Sequence, residues 1–175
     1  MSGAPCQAPH FTMESSMYIK EEQLRKWVKG NASAVDFLLI VMKVSHVWDD
    51  LIDKDKSLED DVINHCFFDA LIRLPRNEFY RKNFDHLNSI MMNSMSNWLI
   101  SNDLEREGGD LQLNIAFILR SSYVDLITQS ALLVGGQAWA SQVGREVRKL
   151  THHERFDGYL RALDEEKKTR QATAR

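Results

Sequence analysis

The chain has 175 residues, of which 43% are hydrophobic and 27% are charged, as in soluble globular proteins. This length suits a single domain with a substantial buried core. The net charge of -3 gives no general attraction to nucleic acid or to anionic membranes, and we expect no nucleic-acid partner. The longest uninterrupted apolar run, FLLIVM, is far shorter than the roughly 20 residues of a membrane-spanning helix, so we expect no stable membrane insertion.

We expect a flexible leader over residues 1–14, one helical domain over residues 15–165 and a charged flexible tail over residues 166–175. Only two cysteines are present, Cys6 in the leader and Cys66 in an apolar helical run. Because these environments differ, we expect no structural disulfide, and the cysteine usage favours a reducing, cytoplasmic location.

The first two predicted elements are helices. A short helix covers about Tyr18 to Lys29 and ends at a Gly-Asn pair. The second begins at Asn31 or Ser33 and continues through a strongly apolar stretch to about Asp53.

The third and fourth predicted helices follow a charged connection. Ser57 and Asp60 have the spacing of a capping box, which predicts the start of the third helix, and this helix ends before Pro75. The fourth begins near Asn77 and is either long or broken before the glycine pair at 108–109.

The fifth predicted helix is mostly apolar and covers residues 110–134, where the glycine pair at 135–136 closes it. One or two amphipathic helices complete the domain. Because no segment alternates apolar and polar residues with the period of a strand, the sequence predicts an all-α bundle of about six to seven helices.

Three acids, Asp49, Asp50 and Asp53, lie at the end of the second helix, where one helical turn brings them to the same side. Carboxylates at a helix C-terminus interact unfavourably with the helix dipole, and each destabilises the helix by roughly 0.3–1 kcal/mol. Solvent and neighbouring lysines on a polar helix face are one compensation, and a bound cation is another. Mg²⁺ binds one or two carboxylates together with water and phosphate oxygens, so this triplet is a candidate metal site beside a diphosphate.

The segment HVWDDLIDKD resembles the first aspartate-rich motif, DDxxD, of class I isoprenoid (terpenoid) synthases. Asp49, Asp50 and Asp53 occupy its acidic positions, and His46 precedes them as a His or Tyr does in that family. The resemblance implies a terpenoid-synthase-like helical fold in which these acids hold Mg²⁺ ions, the ions hold a prenyl diphosphate, and His46 lies close to the substrate.

The second metal motif of that family resembles NDxxSxxxE, and this chain offers NDLEREGGD. Asn102, Arg106 and Asp110 fall at its ligand positions, with Arg in place of the hydroxyl residue and Asp in place of Glu. Of these we carry over Asn102 as a substrate contact; the alternative is an ordinary charged helix end. Chain-elongating prenyltransferases place an Arg-Arg pair after the first motif, and its absence here argues against condensation of two isoprenoid diphosphates.

The fifth predicted helix carries a narrow polar stripe of Asn114, Ser121, Asp125 and Gln129. If Asp125 is buried and faces the second helix, it completes an acidic metal site, with Gln129 and Arg120 as substrate contacts. A buried carboxylate needs a partner, and Arg120, a cation or a hydrogen-bond network would serve. A satisfied polar contact between packed helices is the alternative interpretation.

The sequence therefore predicts Mg²⁺-dependent binding of an isoprenoid phosphate or diphosphate, and it leaves open whether ionisation or transfer follows. Two alternatives remain. One is a non-enzymatic helical interaction or oligomerisation protein, for which a homodimer is compatible with the sequence. The other is an all-α nucleotide pyrophosphohydrolase, which would hold Mg²⁺ between paired acids on two helices.

Overall fold

The computed structural model describes residues 19–53, 57–152, 156, 158–161, 163–164 and 168; the side chain of Asp53 is outside this description. The predicted leader, and the predicted tail apart from residue 168, lie outside the described residues. The described part contains no β-strand, which confirms the all-α class. Its helices are α1 (Glu21–Trp27), α2 (Ala32–Asp53), α3 (Asp60–Phe68), the short α4 (Leu74–Arg76), α5 (Glu78–Lys82), α6 (Phe84–Glu107), α7 (Asp110–Leu119) and α8 (Tyr123–Thr151), with a π-helical turn (Asp69–Arg73) between α3 and α4.

The central helix of the fold is α2, against which α1, α3, α5 and α8 pack. The side-chain oxygen of Asn31 accepts a hydrogen bond from the backbone N–H of Ala34 at 3.0 Å, which confirms the predicted start of this helix. Phe37 and Leu38 are fully buried in the core. The ring of Phe37 stacks on that of Tyr80 with the centroids 5.5 Å apart, so α2 anchors α5 through aromatic packing.

The predicted capping box at the start of α3 is wrong. The N-cap residue is Glu59, and its side chain makes no capping hydrogen bond. Ser57 lies two residues before this N-cap and does not occupy the capping position. At its other end α3 continues through the π-helical turn into α4, so helical backbone extends to Arg76, one residue past Pro75.

The segment 110–134 is not one helix. α7 ends at Leu119 and α8 begins at Tyr123. The hydroxyls of Ser121 and Ser122 donate to the carbonyl oxygens of Ile118 and Leu119, at 2.8 and 2.7 Å. Such local bonds compete with the helical ladder, and they accompany the break here. The predicted polar stripe from Asn114 to Gln129 is therefore divided between two helices.

α8 folds back on itself at Gly136, whose φ of 77° and ψ of 178° interrupt the helix. The hydroxyl of Tyr123 donates to that of Thr151 at 3.2 Å, which brings the two ends of α8 together. α8 is thus a hairpin of two helical arms, residues 123–135 and 137–151, and the predicted end of a helix at the glycine pair is confirmed.

One buried hydroxyl in the first arm of α8 has no hydrogen-bond partner among the described residues. Ser130 is fully buried, and its Oγ is unsatisfied. Ser130→Ala removes the unpaired hydroxyl and improves helix propensity, so we expect the free energy of unfolding to rise by about 1 kcal/mol in urea denaturation. Ser121→Ala is the control, because it deletes a hydroxyl that is hydrogen-bonded. A destabilised Ser130→Ala would contradict this assignment.

A buried carboxylate joins α2 to the π-helical turn. Asp69 is 4% exposed, and its oxygens accept hydrogen bonds from Lys43 at 2.9 Å and Arg73 at 2.8 Å. Arg73 also donates to Asp36 at 2.6 Å. Burial by itself would raise the pKa of Asp69, but the hydrogen bonds and positive charges of Lys43 and Arg73 outweigh burial and hold the pKa below its ordinary value of 3.8.

This lowered pKa makes part of the stability dependent on pH. Asp69 binds a proton more readily in the unfolded chain, so its contribution is present above about pH 4 and is lost as the pH falls through the folded-state pKa. We expect Asp69→Asn to show a shallower loss of unfolding free energy than the parent between about pH 4 and pH 2. Asp103→Asn, which alters an exposed pair, is the control. Identical acid profiles for the parent and Asp69→Asn would contradict this expectation.

None of the described helices combines the length and the hydropathy needed to cross a bilayer.

Candidate functional site

A cavity of about 420 Å³ lies between α2, α3 with its π-helical turn, α6 and the start of α8. Its volume falls within the range of small-molecule sites, roughly 300–1,000 Å³. The wall is almost entirely apolar, with a few polar side chains at its edge. The lining residues are Val41, Val44, Ser45, Trp48 and Leu51 of α2; Cys66, Phe67, Ala70 and Leu74 of α3, the π-helical turn and α4; Met91, Ser94, Met95 and Trp98 of α6; and Arg120, Ser122, Tyr123 and Leu126.

Helical spacing explains the two longest walls. The α2 residues from Val41 to Leu51 and the α6 residues from Met91 to Trp98 recur at intervals of three and four, so each set forms one face of its helix. The two helices meet at Trp48 and Trp98, whose ring centroids are 4.3 Å apart. Methionine suits such a wall because its flexible thioether adapts to irregular apolar shapes.

The thiol of Cys66 belongs to the apolar wall. Burial raises the pKa of Cys66; the charge of Lys43 lowers it and that of Asp69 raises it, with a net upward shift. The thiol is therefore protonated at neutral pH and acts as a small apolar group.

Asp49 lies beside the cavity and makes two contacts with its lining residues. Its Oδ1 accepts a hydrogen bond from the indole N–H of Trp98 at 2.8 Å and a longer one from Arg120 at 3.4 Å. The side chain of Asp49 is 31% exposed and that of Arg120 is 23% exposed, so this pair lies at the boundary between cavity and solvent.

Arg120 is the centre of a polar cluster that we call the Arg120 cluster, formed by Arg120, Asp49, Asn102, Glu105 and Tyr159. Its Nη1 donates to both carboxylate oxygens of Glu105, at 3.0 and 2.9 Å, and to Asn102 at 3.2 Å. The hydroxyl of Tyr159 donates to the same carboxylate at 2.5 Å. Three residues predicted from sequence, Asp49, Asn102 and Arg120, are thus brought together.

Glu105 was not predicted, although a signal for it is present in the sequence. It follows Asn102 by three residues, so both lie on one face of α6. The NDxxSxxxE comparison placed Arg106 and Asp110 at ligand positions instead. Arg106 is exposed and pairs with Asp103 at 2.7 Å, and Asp110 lies at the start of α7.

Asp50 and His46 are both half-buried on α2, and neither is without a partner. The backbone of Asp53 belongs to the last turn of α2. Its side chain lies outside the described residues.

Asp125 and Gln129 do not join the Arg120 cluster. The side chain of Asp125 is 40% exposed and pairs with Arg148 across the α8 hairpin, so the expectation of a buried carboxylate at this position is wrong. Gln129 hydrogen-bonds to His86 of α6 at 2.9 Å. Neither residue continues the predicted stripe, because the helix is interrupted at residues 120–122.

Within the part of the chain that the structure describes, no group of three or more His, Cys, Asp or Glu residues is arranged to hold a metal ion. Of the predicted triplet, Asp49 and Asp50 have described side chains, and Asp49 accepts hydrogen bonds from Trp98 and Arg120. Two carboxylates suffice for Mg²⁺ only when substrate phosphates and water supply the other ligands.

Comparison with known proteins gives no match: no protein-family model, no curated protein and no solved structure is significantly similar to this chain.

Proposed function

We propose that the chain binds an isoprenoid phosphate or diphosphate, with the prenyl chain in the apolar cavity between α2, α3, α6 and α8. The cavity is the observation that carries this proposal, because its size and its aliphatic, methionine and tryptophan lining suit a branched hydrocarbon. A terpenoid-synthase-like arrangement, with helices around an apolar cavity and an acidic motif at its edge, is part of the same proposal.

The head group of the ligand would lie at the Arg120 end of the cavity. Arg120 contributes to the lining and supplies a positive charge there, and Asp49 contacts it. When bound, Mg²⁺ would neutralise phosphate charge, held by Asp49 and Asp50 together with Asp53, as the DDxxD resemblance implies. Asp49 would give up its 3.4 Å contact with Arg120, the longer of its two hydrogen bonds.

The test is thermal unfolding with geranylgeranyl diphosphate, pyrophosphate or dUTP, each with and without Mg²⁺. A ligand present at 100 times its dissociation constant stabilises the native state by about 2.7 kcal/mol. We expect stabilisation of this order with geranylgeranyl diphosphate and not with pyrophosphate or dUTP. The stabilisation should be larger when Mg²⁺ is present and smaller in Asp49→Asn. Asp103→Asn is the matched control because Asp103 is exposed and pairs with Arg106 on the same helix. Equal shifts for pyrophosphate and the prenyl ligand, or no shift, would reject the proposal.

A second candidate is a helical interaction protein without a small-molecule ligand. It is favoured by large apolar side chains at the surface, of which Leu111 and Leu71 are 69% and 68% exposed. Soluble monomers rarely expose contiguous apolar patches of several hundred Å². In this case every ligand in the thermal experiment should leave the unfolding temperature unchanged.

A further inference from the structure

Two exposed apolar stripes lie on elements that form walls of the cavity. On α3 and the π-helical turn the stripe is Phe67, Phe68 and Leu71; on α6 it is Met92, Met95 and Leu99. All six side chains are more than a third exposed, and among the described residues α3 and α6 do not pack directly on each other. Phe67 of one stripe and Met95 of the other line the same cavity, so the cavity lies between the two stripes. We call the space between them the α3–α6 trough.

The trough has the pattern that receives an amphipathic helix. Met92, Met95 and Leu99 follow helical spacing on α6 and extend over about 10 Å, which is roughly two turns of a partner helix. Leu71 and Met92, at 68% and 62% exposed, lie outside the cavity lining. A prenyl group inside the cavity would leave both uncovered, whereas a partner helix in the trough would bury them.

The charge beside the trough selects the kind of partner. Residues 57–61, which lead into α3 and begin it, contain three acidic and no basic residues. Asp60 and Asp61 precede Phe67 and Phe68 by seven residues, so they lie on the same exposed face of α3. Acidic residues in the first turn also stabilise the helix, because they interact favourably with the positive end of its dipole. Because these two carboxylates lie in line with the exposed aromatic stripe, they make the electrostatic potential negative at one end of the trough.

We propose that the α3–α6 trough binds a basic amphipathic helix of a partner protein, with its apolar face on the two stripes and its Lys or Arg side chains against the acids that begin α3. This proposal goes beyond isoprenoid binding and does not depend on it. A second copy of the chain is a poorer occupant, because each copy would bring the same acidic segment to the contact.

The experiment uses two labelled helical peptides with an identical leucine face, one with lysine and one with glutamate on the polar face, in fluorescence anisotropy with the full chain. We expect saturable binding of the lysine peptide, weakened by salt, and at least tenfold weaker binding of the glutamate peptide. Leu71→Glu should weaken the lysine peptide at least tenfold. Leu133→Glu, at another exposed apolar residue on α8, should leave its affinity unchanged. Asp60→Asn/Asp61→Asn should reduce the difference between the two peptides.

Several results would overturn the proposal. Equal affinities for both peptides would show that charge does not select the partner. Unchanged binding of the lysine peptide by Leu71→Glu would show that the peptide does not bind in the trough. A dimer in analytical ultracentrifugation that Leu71→Glu dissociates would assign the trough to a second copy. Saturable binding to phosphatidylcholine vesicles that Leu71→Glu abolishes would assign it to a membrane surface. Because Leu71 does not line the cavity, Leu71→Glu should keep the prenyl-dependent thermal shift, so the two proposals can fail independently.

Discussion

Replacing Arg120 with methionine is expected to lower the free energy of unfolding by about 2–4 kcal/mol. Arg120 donates to both oxygens of Glu105, whose side chain is only 10% exposed, and also to Asp49. Removing the guanidinium leaves a largely buried carboxylate beside a second carboxylate with no charge from Arg120 to compensate them. Partial exposure of Arg120 and Asp49 keeps the expected loss below that of a fully buried pair.

The measurement is urea denaturation of Arg120→Met beside Arg106→Met. Arg106 pairs with Asp103, and both side chains are about 70% exposed, so the control should lose no more than about 0.5 kcal/mol. Adding Glu105→Gln to Arg120→Met should restore part of the loss, because it removes the uncompensated charge. Equal, small effects of the two arginine substitutions would show that the Arg120 cluster contributes little to stability.

Replacing Ser45 with tryptophan is expected to weaken binding of geranylgeranyl diphosphate at least 30-fold, which corresponds to about 2 kcal/mol. Ser45 is exposed on α2 and lines the cavity, so an indole at this position enters the space assigned to the prenyl chain. Because the site is at the surface, the core of α2 should be undisturbed, and the unfolding temperature without ligand should stay close to that of the parent.

Ser45→Ala is the matched control, since it leaves the cavity open at the same position. Isothermal titration calorimetry of parent, Ser45→Ala and Ser45→Trp should give two similar affinities and one much weaker affinity. If Ser45→Trp binds as tightly as the parent, the prenyl chain does not occupy this cavity.

Much of the helical framework follows from local sequence. The apolar run of α2, the Asn31 cap and the glycines at 108–109 and 136 predict where helices begin and end, because each acts through its own backbone or its nearest neighbours. The end of α7 could not be found in this way. Its apolar pattern continues across Ser121 and Ser122, and the break depends on hydroxyl bonds to preceding carbonyls, which periodicity does not reveal.

The candidate site was predictable in part. Asp49 was predicted from the acid triplet, Asn102 from the resemblance to the second metal motif and Arg120 from its position beside the polar stripe, and the structure brings them together. Their partner Glu105 is one of several acids in a charged helix end, and only the orientation of α6 distinguishes it from exposed Asp103. The cavity depends on four separate elements meeting, which no single segment encodes.

The most direct test of isoprenoid binding is covalent mapping with a photoreactive prenyl phosphate, followed by mass spectrometry of the labelled residues. We expect saturable labelling on at least two cavity walls, at residues such as Phe67, Met91 and Leu126, with competition by unlabelled geranylgeranyl diphosphate. Labelling confined to the exposed face of α7, at Leu111 and Ile118, or labelling that the competitor leaves unchanged, would contradict it.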